Sequence, residues 1–199
     1  MPRPIHRLRP TAALSAAVVA ALVLAACGGS DGQSGAAKAG PKPLSPSTSG
    51  LPAKLAANVK QGDQLVGEGV GDLQARLAEL KRYPVVVNQW ASWCEPCRLE
   101  IPFFRSMTAK YRKRVAFVGI DLQDDRDAAQ DFMRELPSGF PSIFDPDGSV
   151  TASIGGGRAS PTTFYFDKNG KQRFTKIGAY ATAELLEQDI QRYALGGGS

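Results

Sequence analysis

The strongest constraint on the fold is a pair of apolar strand candidates, Val85–Trp90 and residues 115–120, separated by one long helix candidate. Both runs are mostly β-branched or apolar and lack the alternation of a half-exposed strand, so both are expected to be buried on two faces. The segment between them, from about residue 95 to residue 114, carries its aromatic residues at helical spacing. A strand, a helix and a second buried strand therefore form the centre of the predicted fold.

The flanking sequence continues with further helices and strands. A helix capped by Asp72 and ended by Pro84 is expected, because its leucines recur at helical spacing. The turn at residues 167–170 joins two strand-like runs in a hairpin. The other candidates are a strand near 64–66, a helix at 127–136, a strand at 140–144, hairpin strands at 162–166 and 171–177, and a helix from about 182. This order predicts an α/β domain whose mixed sheet is flanked by helices.

The first 26 residues are typical of a secretory signal. They contain three arginines and no acidic residue, and residues 12–26 are an uncharged run that is too short to span a bilayer comfortably. The run ends in Leu-Ala-Ala-Cys27, which resembles a bacterial lipobox, where the cysteine receives lipid and becomes the first residue after cleavage. We expect a signal peptide at 1–26 and a lipid on Cys27. A plain secretory peptide or a signal anchor with an incidental cysteine remains the alternative.

A flexible linker is predicted at residues 27–50. This stretch is almost entirely Gly, Ser, Pro, Ala and Lys, so it cannot bury enough surface to offset its ordering entropy. The folded domain is therefore expected at 51–199. Together with the lipid on Cys27, this organisation predicts a protein held at the extracytoplasmic face of the cell membrane.

Histidine content and charge exclude several functions. The only histidine is His6, so a folded domain at 51–199 cannot use a Ser-His-Asp or Cys-His mechanism, nor bind a metal through histidine. The chain has 24 Lys and Arg against 19 Asp and Glu, but three of the arginines lie in the first 26 residues, which leaves 21 against 19 elsewhere. This near balance argues against a nucleic-acid partner.

Cys94 and Cys97 carry the predicted chemistry. They lie where a buried strand ends and a helix begins, so the first sulfur faces free backbone N–H groups and the positive end of the helix dipole. Such a setting can lower a thiol pKa from about 8.5 to roughly 3.5–7.5. We expect Cys94 to attack disulfides and Cys97 to resolve the mixed disulfide, with no cofactor. The alternatives are a structural disulfide, or half of a zinc site that lacks two further cysteines.

The segment Trp90-Ala91-Ser92-Trp93-Cys94-Glu95-Pro96-Cys97 resembles the active site of thioredoxin-like proteins, above all the extracytoplasmic TlpA/ResA group. The resemblance implies a thioredoxin-like fold with helices on both faces of the sheet. Two prolines fit the family as well: Pro102 inside the active-site helix and Pro161, which the family has in cis. It also implies four substrate-contacting residues: Trp93, Pro96, Ser160 and Pro161.

Three polar residues near the cysteines follow from the same comparison. Glu100 lies on the helix face of Cys97, and the TlpA/ResA group carries a functional glutamate at this offset, so we expect Glu100 to accept and return the Cys97 proton. Asn88 stands where cytosolic thioredoxins have a buried aspartate and cannot titrate. Gln89 replaces a large apolar residue and requires hydrogen-bond partners.

The resemblance implies a membrane-anchored thiol–disulfide oxidoreductase that reduces protein disulfides outside the cytoplasm. Relatives act on apocytochrome cysteines and receive electrons from a membrane thiol carrier, so both are expected partners. Glu95 beside Cys94 opposes thiolate formation, which favours the reducing direction. A disulfide-forming oxidase or isomerase and a non-enzymatic docking or copper-handling module remain the alternatives. The acidic run Asp121, Asp124 and Asp125 is interpreted as a solvated loop.

Overall fold

The protein folds around one six-stranded β-sheet. The structure is a computed structural model that describes residues 47–197, so the predicted signal peptide and Cys27 lie outside the described residues. The strands are β1 Leu65–Glu68, β2 Val85–Trp90, β3 Ala116–Leu122, β4 Ser142–Asp145, β5 Thr162–Phe166 and β6 Gln172–Ile177. The helices are α1 Ala53–Lys60, α2 Val70–Glu79, α3 Glu95–Tyr111, α4 Arg126–Glu135, α5 Ser149–Ser153 and α6 Ala183–Asp189, which continues as a π-helical turn, Ile190–Ala194.

The sheet is mixed, as predicted. Its strand order is β1-β4-β3-β2-β5-β6. The four strands β1 to β4 are parallel, whereas β5 pairs antiparallel with both β2 and β6. Both β2 and β3 are buried along their whole length, which explains their continuous apolar sequences.

Helices cover both faces of the sheet. On one face, Leu55 of α1, Leu73 of α2 and Val150 of α5 share a core with one side of β2 and β3. On the other face, α3, α4 and α6 pack over the remaining side chains of the same strands. The active-site helix candidate therefore lies on the second face, and the predicted α/β architecture is confirmed.

Several boundaries differ from the sequence prediction. Helix α1 lies in a segment that the sequence left unassigned. Helix α2 begins after Gly69, and Asp72 lies in its first turn, where its carboxylate accepts from the Glu68 N–H at 2.7 Å. The prediction that Asp72 caps this helix was therefore wrong, because the N-cap residue is Gly69. The long helix α3 ends at Tyr111 instead of residue 114, and β3 extends to Leu122.

Candidate active site

Cys94 and Cys97 lie at the start of α3, immediately beyond the carboxyl end of β2. Cys94 is the N-cap residue of α3, and its Sγ accepts a hydrogen bond from the Cys97 N–H at 3.2 Å. The two sulfurs form a disulfide. Cys94 is 3 % exposed and Cys97 is fully buried, so the outer sulfur is the one that a partner can reach. A thiolate on Cys94 would receive the same N–H donor and the helix dipole.

Glu100 lies one turn after Cys97 on α3 and is fully buried. Its Oε1 accepts from Asn88 Nδ2 of β2 and its Oε2 accepts from the Tyr180 N–H, both at 2.9 Å. Burial raises the pKa of Glu100 to about 7, and the two hydrogen bonds and the charge of Lys176 oppose that rise. A carboxyl with this pKa can accept and return a proton near neutral pH.

The segment before β5 reaches the same end of the sheet. The Ser160–Pro161 peptide bond is cis, as the resemblance implies. Gln89 of β2 pairs with Thr162, and its Nε2 donates to the carbonyl oxygens of Gly157 and Ala159 and to Ser160 Oγ at 3.0–3.1 Å. The buried Gln89 side chain therefore ties the proline loop to the strand that leads to Cys94.

Three exposed residues lie directly next to the cysteines: Trp93, Glu95 and Pro96. Trp93 is 58 % exposed, and its Nε1 donates to the Gln123 carbonyl at 3.2 Å. Pro96 lies in the first turn of α3, where backbone N–H groups have no acceptor within the helix, so the lack of an N–H on proline costs no hydrogen bond. Pro102 lies inside α3, as the resemblance implies.

The three aspartates of the acidic run lie near the site, and one of them is not a loop residue. Asp121 is a fully buried residue of β3, and its neighbour in the sheet register is Trp90. Burial, with the negative charge of Asp124 in support, raises the pKa of Asp121 to about 9. Asp124 accepts from the N–H and the hydroxyl of Ser92, and Asp125 caps α4. The solvated-loop interpretation was wrong for Asp121, which is buried in the sheet, whereas Asp124 and Asp125 lie in the loop after β3, where Asp124 supports the loop that precedes Cys94.

The described residues offer no group of three or more His, Cys, Asp or Glu side chains placed to hold a metal ion. No helix within residues 47–197 combines the length and the apolar character needed to cross a membrane.

Comparison with known proteins agrees with this geometry. The family model described as Redoxin matches residues 67–190. The thiol–disulfide oxidoreductase ResA of Bacillus thuringiensis subsp. konkukian is 30% identical over 127 residues, which cover 62% of this chain and 72% of that protein. A solved DsbF homologue from Corynebacterium diphtheriae superposes with a TM-score of 0.52 at 33% identity, covering 58% of this chain and 75% of that one. A secreted Mycobacterium tuberculosis disulfide oxidoreductase superposes with a TM-score of 0.53 at 25% identity, and the match covers 58% of this chain and 85% of that one.

Fold, cysteine pair and relatives together define a thiol–disulfide oxidoreductase of thioredoxin fold. More narrowly, the chain belongs to the redoxin family and is of the TlpA/ResA type.

Proposed function

We propose that this protein reduces disulfides in other proteins outside the cytoplasm, with Cys94 as nucleophile and Cys97 as resolving residue. The observation that carries the proposal is the position of the Cys94–Cys97 pair at the start of α3, with the buried carboxyl of Glu100 one turn behind it. The pair supplies two electrons without a bound cofactor.

The reaction begins with both cysteines reduced. The Cys94 thiolate attacks one sulfur of the substrate disulfide, a mixed disulfide forms, and the other substrate sulfur leaves as a thiolate. Cys97 loses its proton, attacks Cys94 Sγ and releases the second substrate thiolate. The substrate disulfide is thereby reduced by two electrons, and the Cys94–Cys97 disulfide is the oxidised product on the enzyme.

Glu100 is proposed to take the Cys97 proton in the second step. Both cysteines are buried, so bulk water has little access to the Cys97 thiol. A carboxyl with a pKa of about 7 is ionised often enough to accept this proton and acidic enough to give it up again. Asn88 orients the carboxyl through its amide hydrogen bond and cannot exchange a proton itself.

The cis-proline loop is proposed to hold the substrate segment. Ser160 precedes Pro161, and Gln89 fixes the loop beside the end of β2. An extended segment could pair with the Ser160 backbone while its disulfide faces Cys94, in the manner of strand addition. Trp93 and Pro96 provide exposed apolar surface next to Cys94.

The proposed location is the extracytoplasmic face of the cell membrane, with a lipid on Cys27 and the linker 27–50 as tether. In this compartment a reductant needs an electron supply, and the resemblance to the TlpA/ResA group points to a membrane thiol carrier. The same resemblance suggests cytochrome c maturation, with apocytochrome cysteines as the substrate.

Substrate trapping tests the proposal. In Cys97→Ser, Cys94 attacks but cannot be resolved, so mixed disulfides with substrate proteins should accumulate and disappear on addition of a strong thiol reductant. Cys94→Ser should form none and should lose disulfide reduction. Normal turnover by Cys97→Ser would contradict the assigned roles.

The reduction potential of the pair tests the direction of electron flow. A reduction potential of about −270 mV supports a reductant, whereas a reduction potential of about −120 mV would identify a disulfide-forming oxidase.

A further inference from the structure

Positive charge is concentrated at the end of the domain opposite the cysteines. The residues just before β2, just before β3, in the β5–β6 turn and in the final π-helical turn meet at this end, because β2 and β3 are parallel and β5 runs against them. We call six exposed cations of these segments the basic pole: Arg82, Lys113, Arg114, Lys168, Lys171 and Arg192. Within residues 47–197 none of the six forms an ion pair.

Contacts within this end of the domain show that the segments are adjacent. The Arg82 N–H donates to the Lys168 carbonyl at 3.1 Å, and the Ala116 N–H donates to the Pro84 carbonyl at 2.9 Å. Three cations of the basic pole line one surface pocket of about 540 Å³ together with Arg173 and Asp167, which form an ion pair at 3.8 Å. The three cations of the basic pole form no ion pair within residues 47–197, so they offer positive charge to a phosphate-bearing surface.

Charge at the opposite end is mixed. Glu95, Asp124 and Asp125 follow the carboxyl ends of β2 and β3, beside Cys94. Arg126 and Arg158 lie at the same end. A domain whose positive charge is concentrated at one end turns that end toward an anionic surface. Cys94 would then point away from the surface.

The chain also enters the domain at the basic end. Ser47 is the first described residue, and its carbonyl accepts from Arg112 Nη1 at 3.0 Å. Arg112 directly precedes Lys113 and Arg114 of the basic pole. A tether that arrives from a lipid on Cys27 thus approaches the domain beside its most positive surface.

We propose that the basic pole docks on an anionic lipid bilayer and directs Cys94 toward the aqueous phase. This inference rests on the proposed membrane location and is independent of the thiol chemistry. Docking leaves the cysteines free to meet soluble protein disulfides. Delivery of electrons by a membrane thiol carrier then requires the domain to leave the bilayer on its tether, so docking and re-reduction alternate.

Vesicle sedimentation of residues 27–199 with Cys27→Ala, the proposed mature chain without its lipid, tests the docking, because neither a lipid nor the apolar run 12–26 then holds the protein. Binding to vesicles of equal parts phosphatidylcholine and phosphatidylglycerol is expected, together with little binding to phosphatidylcholine alone and loss of binding at high salt. Adding Lys168→Gln and Arg192→Gln should weaken binding about tenfold or more. The matched control, Arg126→Gln with Arg158→Gln, removes the same charge near the cysteines and should bind as before.

Three results would overturn the proposal: equal binding to both vesicles, equal loss in the control pair, or equally tight binding to duplex DNA at the same salt concentration. Disulfide reduction measured in solution on the same variants is a separate readout. If the Cys27→Ala parent does not reduce disulfides at all, the proposed enzyme is refuted and the docking result still stands.

A different observation concerns Lys176 on β6. Its Nζ donates to the Gly178 carbonyl at 2.6 Å and to the Ala179 carbonyl at 2.9 Å, and lies 4.5 Å from the centre of the Tyr180 ring. The ammonium group is therefore fixed over the loop that follows β6.

This loop connects Lys176 to Glu100. The Ala179 carbonyl and the Tyr180 N–H belong to one peptide group, whose oxygen accepts from Lys176 and whose N–H donates to Glu100 Oε2 at 2.9 Å. The ammonium polarises this peptide group and strengthens its N–H as a donor. A stronger donor favours the ionised carboxylate.

We infer that Lys176 is a positioning residue for the proton transfer at Cys97, acting on Glu100 through the peptide group between Ala179 and Tyr180. The inference rests on the proposed role of Glu100. Asn88 and Tyr165 face Glu100 from the sheet, and Cys97 precedes it by one turn on α3. Tyr180 faces it from the loop, and the Tyr180 hydroxyl donates to Asp189. Lys176 supplies the positive charge that lowers the pKa of Glu100 against burial.

The pH dependence of disulfide reduction tests this role. Lys176→Met should raise the pKa of Glu100, so the acid limb of the rate profile should move up by about one pH unit. Lys176→Arg should restore the wild-type profile, and Lys60→Met, which removes an exposed cation on α1, should leave it in place. An unmoved limb in Lys176→Met would overturn the inference, even if that variant is less stable.

Glu100→Gln separates this inference from the proposed function. If Glu100→Gln abolishes the acid limb and Lys176→Met does not move it, Glu100 retains its role and Lys176 loses its own. If Glu100→Gln leaves the limb unchanged, the proposed role of Glu100 and the inference on Lys176 both fail.

Discussion

At the scale of single residues, burial determines which carboxyls near the cysteines are charged. Asp121 and Glu100 are both fully buried, and burial raises the pKa of each, to about 9 for Asp121 and about 7 for Glu100. Glu100 retains two hydrogen bonds that favour its ionised form, whereas within the described chain no N–H or O–H group donates to the Asp121 oxygens, and the neighbouring Asp124 favours the protonated form. Asp121 is therefore protonated at neutral pH, and Glu100 is poised between its two states.

Asp121→Asn should stabilise the protein at neutral pH. In the unfolded chain Asp121 ionises near 3.8, while the folded chain holds it protonated up to about pH 9, so the folded state loses stability as the pH rises through this window. Removing the titration should raise the free energy of unfolding at pH 7 by up to about 4 kcal/mol. Urea unfolding at several pH values measures this gain, which should vanish near pH 3.

The control for this prediction is Asp131→Asn, which changes an exposed carboxylate on α4 and should alter the stability by less than about 0.5 kcal/mol. A gain for Asp121→Asn that does not depend on pH would show that Asp121 is not held protonated.

These residues also show the limits of sequence reasoning. The spacing of Glu100 from Cys97 is local and was sufficient to identify it as a candidate. Its partner Tyr180 is 80 positions away, and no local pattern points to that contact. Asp121 resembles a loop residue by composition, and its burial becomes visible only when β3 is extended by two residues.

At the scale of secondary-structure elements, close packing of strands supports the active-site turn. Trp90 at the end of β2 stacks on Phe132 of α4 and donates from Nε1 to Ser142 Oγ of β4 at 3.1 Å. This hydrogen bond crosses β3 at Gly119, where there is no room for a side chain.

Gly119→Ala should destabilise the protein and disturb Trp90. An added Cβ would collide with Ser142 Oγ and lie 2.7 Å from Trp90 Nε1, so strands or side chains must shift, at a cost of about 1–3 kcal/mol. Denaturant unfolding measures the cost, and tryptophan fluorescence reports the change around Trp90. Gly71→Ala on α2 is the matched control. Its Cβ meets nothing within 4 Å, and the helix should gain about 0.5–1 kcal/mol. Equal stability of the two variants would contradict the packing argument.

The element order was predictable because each strong element has a local signal. The continuous apolar runs of β2 and β3 and the hairpin of β5 and β6 follow directly from composition. Helix α1 was missed because it is short, begins at Pro52 without a side-chain cap and buries only three residues. In the loop at 157–160, the resemblance pointed to Ser160, but no local pattern predicted the hydrogen bonds from Gln89, which lies about 70 positions earlier.

At the scale of the whole molecule, the sheet separates two functions along its strands. One end carries Cys94, Glu100 and the cis-proline loop, and the other carries the basic pole and the entry of the chain at Ser47. This separation lets a tethered domain approach a surface with one end while the other end exchanges disulfides. Residues 27–46 of the tether lie outside the described residues, so its role rests on the sequence before residue 47.

Cys27→Ala should release the full-length protein from membranes without loss of its thiol chemistry. In the proposed organisation the lipid on Cys27 holds the protein at the membrane, whereas the cysteines proposed to exchange disulfides are Cys94 and Cys97. Fractionation at high salt, which also removes electrostatic docking, should place the wild type in the membrane fraction and Cys27→Ala in the soluble fraction. Ser30→Ala, three residues beyond the proposed lipid site, should remain with the membranes. A Cys27→Ala protein that stays membrane-bound at high salt would favour an uncleaved signal anchor.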